Sequence, residues 1–465
     1  MDKYKKLLND SIIFAIGNFG SKIISLIMVP LYSVYLTRVE YGTIDLVITF
    51  VNVLLPIISL SIFESVLRFT IEEKDKQNQI SIFSTSVMFT IITSLISIVL
   101  YFFIYNTIFK YDYLFYMLII VILQSFQVLF SQFLRSLNQL KLYAINGLLL
   151  TFSMGITNIL LLVIFDLKII GYFFAIIISN VVSIIFMIIV GNLKEYFSLK
   201  KIFNKNLLSD MLKYSIPIIP NTLIWWGMNA ISRTLILKYA GIEENGLFAM
   251  ANKIPSLISM LSTIFFQAWQ LLAIQEKNNQ DSSKTYGIIY KYFSSFIILG
   301  TSIFIISNKM LMRVLISSEF YDSWKYVPPL LIAALLSSFA NFFAIFYNVS
   351  KETKGIFITS FIGGGVNLVL SIISIPLIGV YGATIATIVS FFVIWIIRQN
   401  YSSVKYSIKY NNVKIILSLS ILILQTLFLY MNTNYEFYVE IILFSLLCII
   451  NKDFFSILIK RIGVE

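Results

Sequence analysis

Fourteen apolar runs, each 17 to 27 residues long, follow one another along the chain with only short polar breaks. They fall at 11–36, 42–65, 80–105, 113–136, 143–165, 168–191, 214–240, 246–272, 286–308, 325–348, 355–377, 380–397, 413–431 and 435–451. A helix that crosses hydrocarbon needs about 20 apolar residues, whereas a barrel strand would show about 10 with strict alternation. The runs are apolar on all sides, so the expected fold is an all-α polytopic membrane protein with about 14 transmembrane helices. Composition agrees: 58% of residues are hydrophobic and 12% charged, against about 45–50% and about 25% in soluble domains. A soluble enzyme is excluded. The chain has no histidine and one cysteine, Cys448, which rules out an intrachain disulfide and removes the commonest metal ligand and general base. No cofactor, no metal and no enzymatic activity are expected.

The excess of 35 basic over 23 acidic residues reads as a positive-inside bias rather than as a nucleic-acid surface. With a cytoplasmic N-terminus, 25 Lys and Arg fall in or beside inner connections and 7 in outer ones, while Lys22, Arg233 and Lys253 lie inside helices. Both termini are therefore expected in the cytoplasm. The basic start MDKYKK precedes an apolar run too long for a signal peptide and without a small-residue cleavage site, so retention is expected. The longest connection, Asn192 to Lys213, is basic and lies near the middle.

Around that connection the two halves echo each other. Glu40-Tyr41-Gly42 matches Glu244-Asn245-Gly246, Gly155 and Asn158 match Gly364 and Asn367, and Gly171, Ala175 and Ser179 match Gly382, Ala386 and Ser390. The offsets are nearly constant and equal six spans. Six is even, so the halves share one orientation. The expected organisation is an N-terminal six-helix lobe over 1–191, a basic linker over 192–213, a second six-helix lobe over 214–398, and two appended helices within 399–465.

Three stretches carry a family resemblance: Lys22 to Gly42, Tyr214 to Lys253, and Asn367 to Ser390. Their marks are Pro30 followed by Tyr41-Gly42, the block from Pro217 and Arg233 to Gly246 and Lys253, and the turn from Ile375-Pro376 through Gly379 to Gly382-Ala383. With these the chain resembles, over essentially its whole length, the polysaccharide biosynthesis flippases of the multidrug/oligosaccharidyl-lipid/polysaccharide superfamily. The resemblance implies two lobes in a V-shaped alternating-access transporter. It also implies transfer of an undecaprenyl-pyrophosphate-linked oligosaccharide from the inner to the outer leaflet of a bacterial cytoplasmic membrane. The implied partners are that lipid-linked oligosaccharide, membrane lipids and other polysaccharide assembly proteins. One departure stands out: Ser232 occupies the position before the arginine of span seven, where such proteins often carry an acidic residue.

An ionisable group within a span costs about 2.5 to 3.5 kcal/mol near the bilayer centre, so each requires a reason. Lys22 lies about 16 Å along span one, and Arg233 and Lys253 lie on the adjacent spans seven and eight. A cationic cavity holding a pyrophosphate would use Arg as a fork and Lys as a point charge; Arg68 joins this substrate-binding set. Snorkelling, or pairing of Arg233 and Lys253 with Glu243 or Glu244, is the structural alternative. Asp45 and Glu64 are the candidate coupling or gating carboxylates. Glu64 and Arg68 also have the spacing of a helix salt bridge. Asn18, Asn221, Trp225, Asn229, Gln267 and Trp269 are candidate sugar contacts, with interface anchoring and interhelical hydrogen bonding as the plainer account.

A multidrug cation antiporter of the same superfamily would favour buried carboxylates over Lys22 and Arg233. A membrane polymerase or glycosyltransferase would need a large outer loop or an Asp-x-Asp site, and the sequence has neither.

Overall fold

The structure is a computed structural model that describes residues 20–21, 23–107, 112–199, 203–275, 282–350, 352–408, 410–431, 435–452 and 454. Among these the protein is all helix, an all-α polytopic membrane protein. Where they are described, the fourteen apolar runs lie mostly on helix, with turns at 59–61 inside the second and 252–254 inside the eighth. In chain order the helices are α1 (Ile23–Tyr35), α2 (Arg38–Ile58), α3 (Ile62–Glu72), α4 (Lys76–Thr107), α5 (Leu114–Ser136), α6 (Leu140–Asn158), α7 (Lys168–Ile189) and α8 (Lys205–Ser215). There follow α9 (Ile219–Tyr239), α10 (Ile242–Ala251), α11 (Pro255–Gln275), α12 (Ser282–Leu315), α13 (Val327–Ser350), α14 (Thr353–Ile378), α15 (Val380–Tyr406), α16 (Asn412–Met431) and α17 (Glu436–Ile450). Among the described residues ten helices pass as spans on length and hydropathy alone, and the pair α10 and α11, bent by 41°, makes an eleventh. Pro255 opens α11 at that bend, where its missing N–H costs nothing.

The chain divides into two compact units, Met1–Thr234 and Leu235–Glu465. In the first unit a core of Phe83, Phe133, Leu134, Met187 and Met211 joins α4, α5, α7 and α8. In the second, α13 is the central helix, 83% buried over its most apolar window, against 22% for α14. A helix surrounded by others can be apolar throughout, while a peripheral one must offer apolar side chains to lipid. Phe361, Val369 and Leu377 of α14 do the latter.

The residues that carry the internal repeat occupy equivalent surroundings in each unit. Ala175 and Ala386 are fully buried, and Ser179 and Ser390 nearly so. A Cβ on Gly171 would meet the Leu161 carbonyl at 3.2 Å, and one on Gly382 would meet the Ser374 backbone at 2.5 Å. Both glycines therefore mark places where two helices approach backbone to backbone. Gly363 allows a similar approach to the Ile394 side chain of α15, whereas Gly365 faces open space.

The basic connection is folded over its described residues. Asn204 caps α8 by accepting from the Leu207 N–H at 3.1 Å. Leu208 and Met211 are buried, and the Ser65 hydroxyl donates to the Met211 carbonyl at 2.5 Å. Ahead of α8, Lys76 pairs with Glu195 at 2.8 Å and lies 5.3 Å from the Tyr196 ring centre. That hydrogen bond holds the Glu195 carboxyl below its ordinary pKa.

Met211 is 0% exposed, so Met211→Ala should lower stability by about 2–5 kcal/mol through lost packing and a residual cavity. Leu199→Ala in the same connection, where the side chain is 74% exposed, should stay within about 0.5 kcal/mol. Thermal unfolding of both variants in one detergent checks the difference; equal shifts would mean that α8 does not dock on the bundle.

Candidate functional site

Helix α2 begins with a capping box, the Thr37 hydroxyl accepting from Glu40 N–H at 3.2 Å and the Glu40 carboxylate accepting from Thr37 N–H at 2.8 Å. This fixes where the helix starts and so places Asp45 about 10 Å along it. There Asp45 meets Arg233 of α9, 188 residues away in sequence. The guanidinium grips the carboxylate with two groups, Nε donating to Oδ2 and Nη2 to Oδ1, the latter at 3.2 Å. The two side chains, Arg233 and Asp45, are 11% and 20% exposed. A forked contact of this kind is among the strongest single polar interactions available to side chains.

The pair continues along one face of α9. Arg233 Nη1 donates to Asn229 Oδ1 at 3.4 Å, and Asn229 Nδ2 donates to the Trp225 carbonyl at 3.0 Å. Trp225, Asn229 and Arg233 are spaced by four and lie one above the other. Ser232, in the position often acidic in similar proteins, is instead buried at 4% exposure. The acid that grips Arg233 thus comes from another helix, while Glu244 accepts from the Tyr326 hydroxyl at 2.7 Å.

The remaining sequence candidates scatter. Lys253 sits, partly buried, in the turn between α10 and α11. Arg68 pairs with Glu72 at 2.6 Å, both more than half exposed, in place of the expected Glu64–Arg68 bridge. Both acids lie four residues from Arg68, and the solvent-side one wins because pairing there leaves neither ion desolvated. Glu64 instead lies within the electrostatic reach of Arg135. Trp269 is 2% exposed; its ring stacks on Phe342 at 4.8 Å, with Tyr286 and Phe346 edge-on. Those rings occupy the faces a sugar would need, so in this conformation Trp269 is a packing residue and not the expected sugar contact. Lys22 and Asn18 lie outside the described residues, as do the side chains of Asn221 and Gln267.

Three features were missed in the sequence. A polar cavity of about 260 Å³ in the first unit is lined by Ser21, Gln127, Ser131, Gln132, Tyr143 and Asn146, among others. The Gln132 amide oxygen is buried without a partner among the described residues. Three glutamines within the one apolar run 113–136 were the available signal. Arg398, which follows directly on the apolar run ending at 397 and so reads as a cytoplasmic flank, is 1% exposed. It donates to Thr359 Oγ1 at 2.9 Å, the Ala340 carbonyl at 3.1 Å and Ser360 Oγ at 3.0 Å. It ties α13, α14 and α15 together. Glu440 of α17 is 1% exposed with neither carboxyl oxygen hydrogen-bonded among the described residues.

Helices long and apolar enough to cross a membrane, with a partly buried ion pair and a polar cavity among them, define the class as a polytopic helical membrane protein, and comparison narrows it. The family model described as polysaccharide biosynthesis protein matches residues 7–270, more than half of the sequence, and the chain belongs to that family. No curated protein matches it. Among solved structures it is similar to the lipid II flippase MurJ in an inward closed conformation, at 14% identity and TM-score 0.69, over 98% of this chain and 99% of that one. It is also similar to a multidrug resistance MATE family transporter of the MOP superfamily. The inward-facing form gives 13% identity and TM-score 0.67 over 84% of this chain and 94% of that one. The outward-facing form gives 14% and 0.62 over 86% and 95%. At such identities the likeness shows the fold alone.

Asp45→Asn leaves the Arg233 charge partly buried without its carboxylate and should cost about 2 kcal/mol of stability. Adding Arg233→Gln removes the stranded charge and should restore most of that loss. A double-mutant cycle by thermal unfolding in detergent measures the coupling; strictly additive losses would show that the two groups act independently.

Proposed function

We propose that the protein is a flippase that carries undecaprenyl-pyrophosphate-linked oligosaccharide repeat units from the cytoplasmic to the outer leaflet of a bacterial cytoplasmic membrane. Its product would feed synthesis of a surface polysaccharide such as O-antigen or capsule. The observation that carries this reading is membership of the polysaccharide biosynthesis family, and the forked Arg233 supplies the chemistry a diphosphate demands. In this reading residues 1–191 and 214–398 are the two lobes, 192–213 the linker and 399–465 the two appended helices, with both ends cytoplasmic. Transport is alternating access between the lobes, with no covalent step and no catalysis.

Arg233 has a resident carboxylate, and that gives the cycle its logic. When no substrate is bound Asp45 holds the guanidinium and keeps the charge neutral inside the membrane. An arriving pyrophosphate, with more charge and the same fork-accepting oxygens, competes for Arg233, and Lys22 and Lys253 add to the balance. The structural likeness to multidrug transporters favours a second reading, a cation antiporter working through Asp45. Against it, the Asp45 carboxylate is already taken by Arg233. Net export needs an ion gradient, consumption of the product outside, or the membrane potential, which is worth about 2.3 kcal/mol per charge per 100 mV.

Reconstitution in liposomes with a defined lipid-linked oligosaccharide tests this directly. Leaflet accessibility should equilibrate in minutes with the protein present, and Lys22→Ala and Arg233→Ala should each slow it by on the order of 10- to 100-fold at unchanged abundance. Full activity of the double variant, or transport of organic cations in place of the lipid, would overturn the reading. Reporter fusions at Lys201 and Lys409 should both report cytoplasm, and an external signal at either would reverse the orientation.

A further inference from the structure

Glu440 is a carboxyl that the proposed transport cycle does not use. It lies one turn into α17, within the apolar run 435–451, and is 1% exposed. Helices α12, α16 and α17 meet around it along a polar seam. Ser295, Ser302 and Lys309 mark the seam on α12, seven residues apart and so along one face. At one end Ser295 Oγ donates to Asn451 Oδ1 at 2.9 Å, and Asn451 Nδ2 donates to Ser418 Oγ at 3.4 Å. At the other end Lys309 Nζ donates to Glu436 Oε2 at 2.6 Å and to the Leu429 carbonyl at 2.9 Å. Between them Ser302 Oγ donates to Gln425 Oε1 at 2.8 Å, and Gln425 lies within the electrostatic reach of the Glu440 carboxyl.

The two end layers close, and the middle one does not. Neither carboxyl oxygen of Glu440 has a hydrogen-bond partner among the described residues, and neither has Gln425 Nε2, although Gln425 is 0% exposed. The charges nearby are already engaged. On α12, Lys309 is held by Glu436 and a carbonyl. On α16 the one charged residue, Lys414, stands eleven positions before Gln425, and the Tyr430 hydroxyl donates to the Lys325 carbonyl. On α17 itself Glu436 is one turn away, and its charge opposes a second one on Glu440.

A buried carboxylate with no donor on either oxygen is among the costliest groups a helix can carry. A proton removes the charge and makes the carboxyl a donor as well as an acceptor. Its O–H is then complementary to Gln425 Oε1, which keeps a lone pair beyond the one Ser302 uses, and its carbonyl oxygen to Gln425 Nε2. All three orphaned atoms are engaged in that pairing, whereas a carboxylate would set its charge against the amide oxygen. Hard metal ions gather about six or more oxygens, and the middle layer offers only the carboxyl, Gln425 Oε1 and Ser302 Oγ.

We infer that Glu440 and Gln425 form a proton-binding site that fastens α17 to α16 and α12, the proton completing the middle layer of the seam. Losing the proton puts an unpaired charge into that layer and loosens α17. The inference does not depend on what the protein transports.

The test uses the full chain in nanodiscs, followed by infrared spectroscopy and thermal unfolding from about pH 5 to about pH 9, where ordinary glutamates are ionised. At neutral pH the wild type should show the carbonyl band of a protonated carboxyl. Glu440→Gln should remove that band, and Glu243→Gln, at an exposed glutamate of α10, should leave it. The folded protein then binds one proton more than the unfolded chain, so stability should fall as pH rises, the folded-to-unfolded ratio dropping by up to about tenfold per pH unit until the site ionises. Glu440→Gln keeps a neutral side chain of the same shape and should flatten that dependence. A wild type without the band at neutral pH would overturn the proposal whether or not the variants fold, and so would a band that survives Glu440→Gln. Equal pH dependence of stability in the wild type and Glu440→Gln would refute the fastening role. A midpoint that moves with sodium at constant ionic strength would overturn the assignment to a proton.

Discussion

Hydrocarbon offers no hydrogen bonds, so every polar group carried into it must be satisfied from within the protein. That constraint explains the helices themselves and the way their few polar side chains are handled. Serines and threonines mostly return their hydroxyls to a carbonyl one turn back, as Ser86, Thr90 and Ser94 do along α4. Charges need more. Arg233 takes a carboxylate from another helix, while Arg398 directs its donors to two hydroxyls and one carbonyl. In the proposed cycle the first solution is exchangeable, another anion taking the place of the carboxylate. The second is fixed, because its acceptors belong to the frame of α13, α14 and α15.

This difference separates the two arginines by role. A guanidinium embedded among neutral acceptors at 1% exposure has no room for an incoming anion and serves to hold three helices in register. One gripped by a carboxylate at 11% exposure is largely desolvated and, in the proposed cycle, trades that partner for the cargo. Sequence position placed Arg233 inside a span but misread the surroundings of Arg398, which looked like a solvated flank because the apolar run before it ended at 397.

The spans were readable because hydropathy acts locally and each helix satisfies its own backbone. The repeat was readable for a related reason: Gly171 and Gly382, Ala175 and Ala386, and Ser179 and Ser390 lie where helices meet closely, and such places tolerate few side chains. What escaped was everything that depends on which helices become neighbours. Asp45 and Arg233 are 188 residues apart, so nothing in their local surroundings announces the pair. Arg68 had an acid four residues to either side, and the choice of Glu72 over Glu64 was made by solvent, which spacing does not report. Trp269 looked like a sugar platform, but the rings of Phe342, Tyr286 and Phe346 cover it.

In the proposed cycle the Asp45–Arg233 pair would also limit how tightly a diphosphate is held. Whatever free energy an anion gains on Arg233 is reduced by the cost of parting it from Asp45 and leaving that carboxylate in a partly desolvated place. For a transporter this is useful. A cation held bare in the membrane would bind its anionic cargo strongly and release it slowly, whereas one with a resident counter-ion makes binding an exchange close to balance. The carboxylate that weakens binding on arrival is the group that assists release, since re-forming the pair recovers the free energy used in breaking it. A fully sealed pair would resist opening, and a fully exposed one would be screened by water and ions. In the proposed cycle, intermediate exposure of both partners would leave the exchange free to run in either direction, with the driving force coming from outside the site.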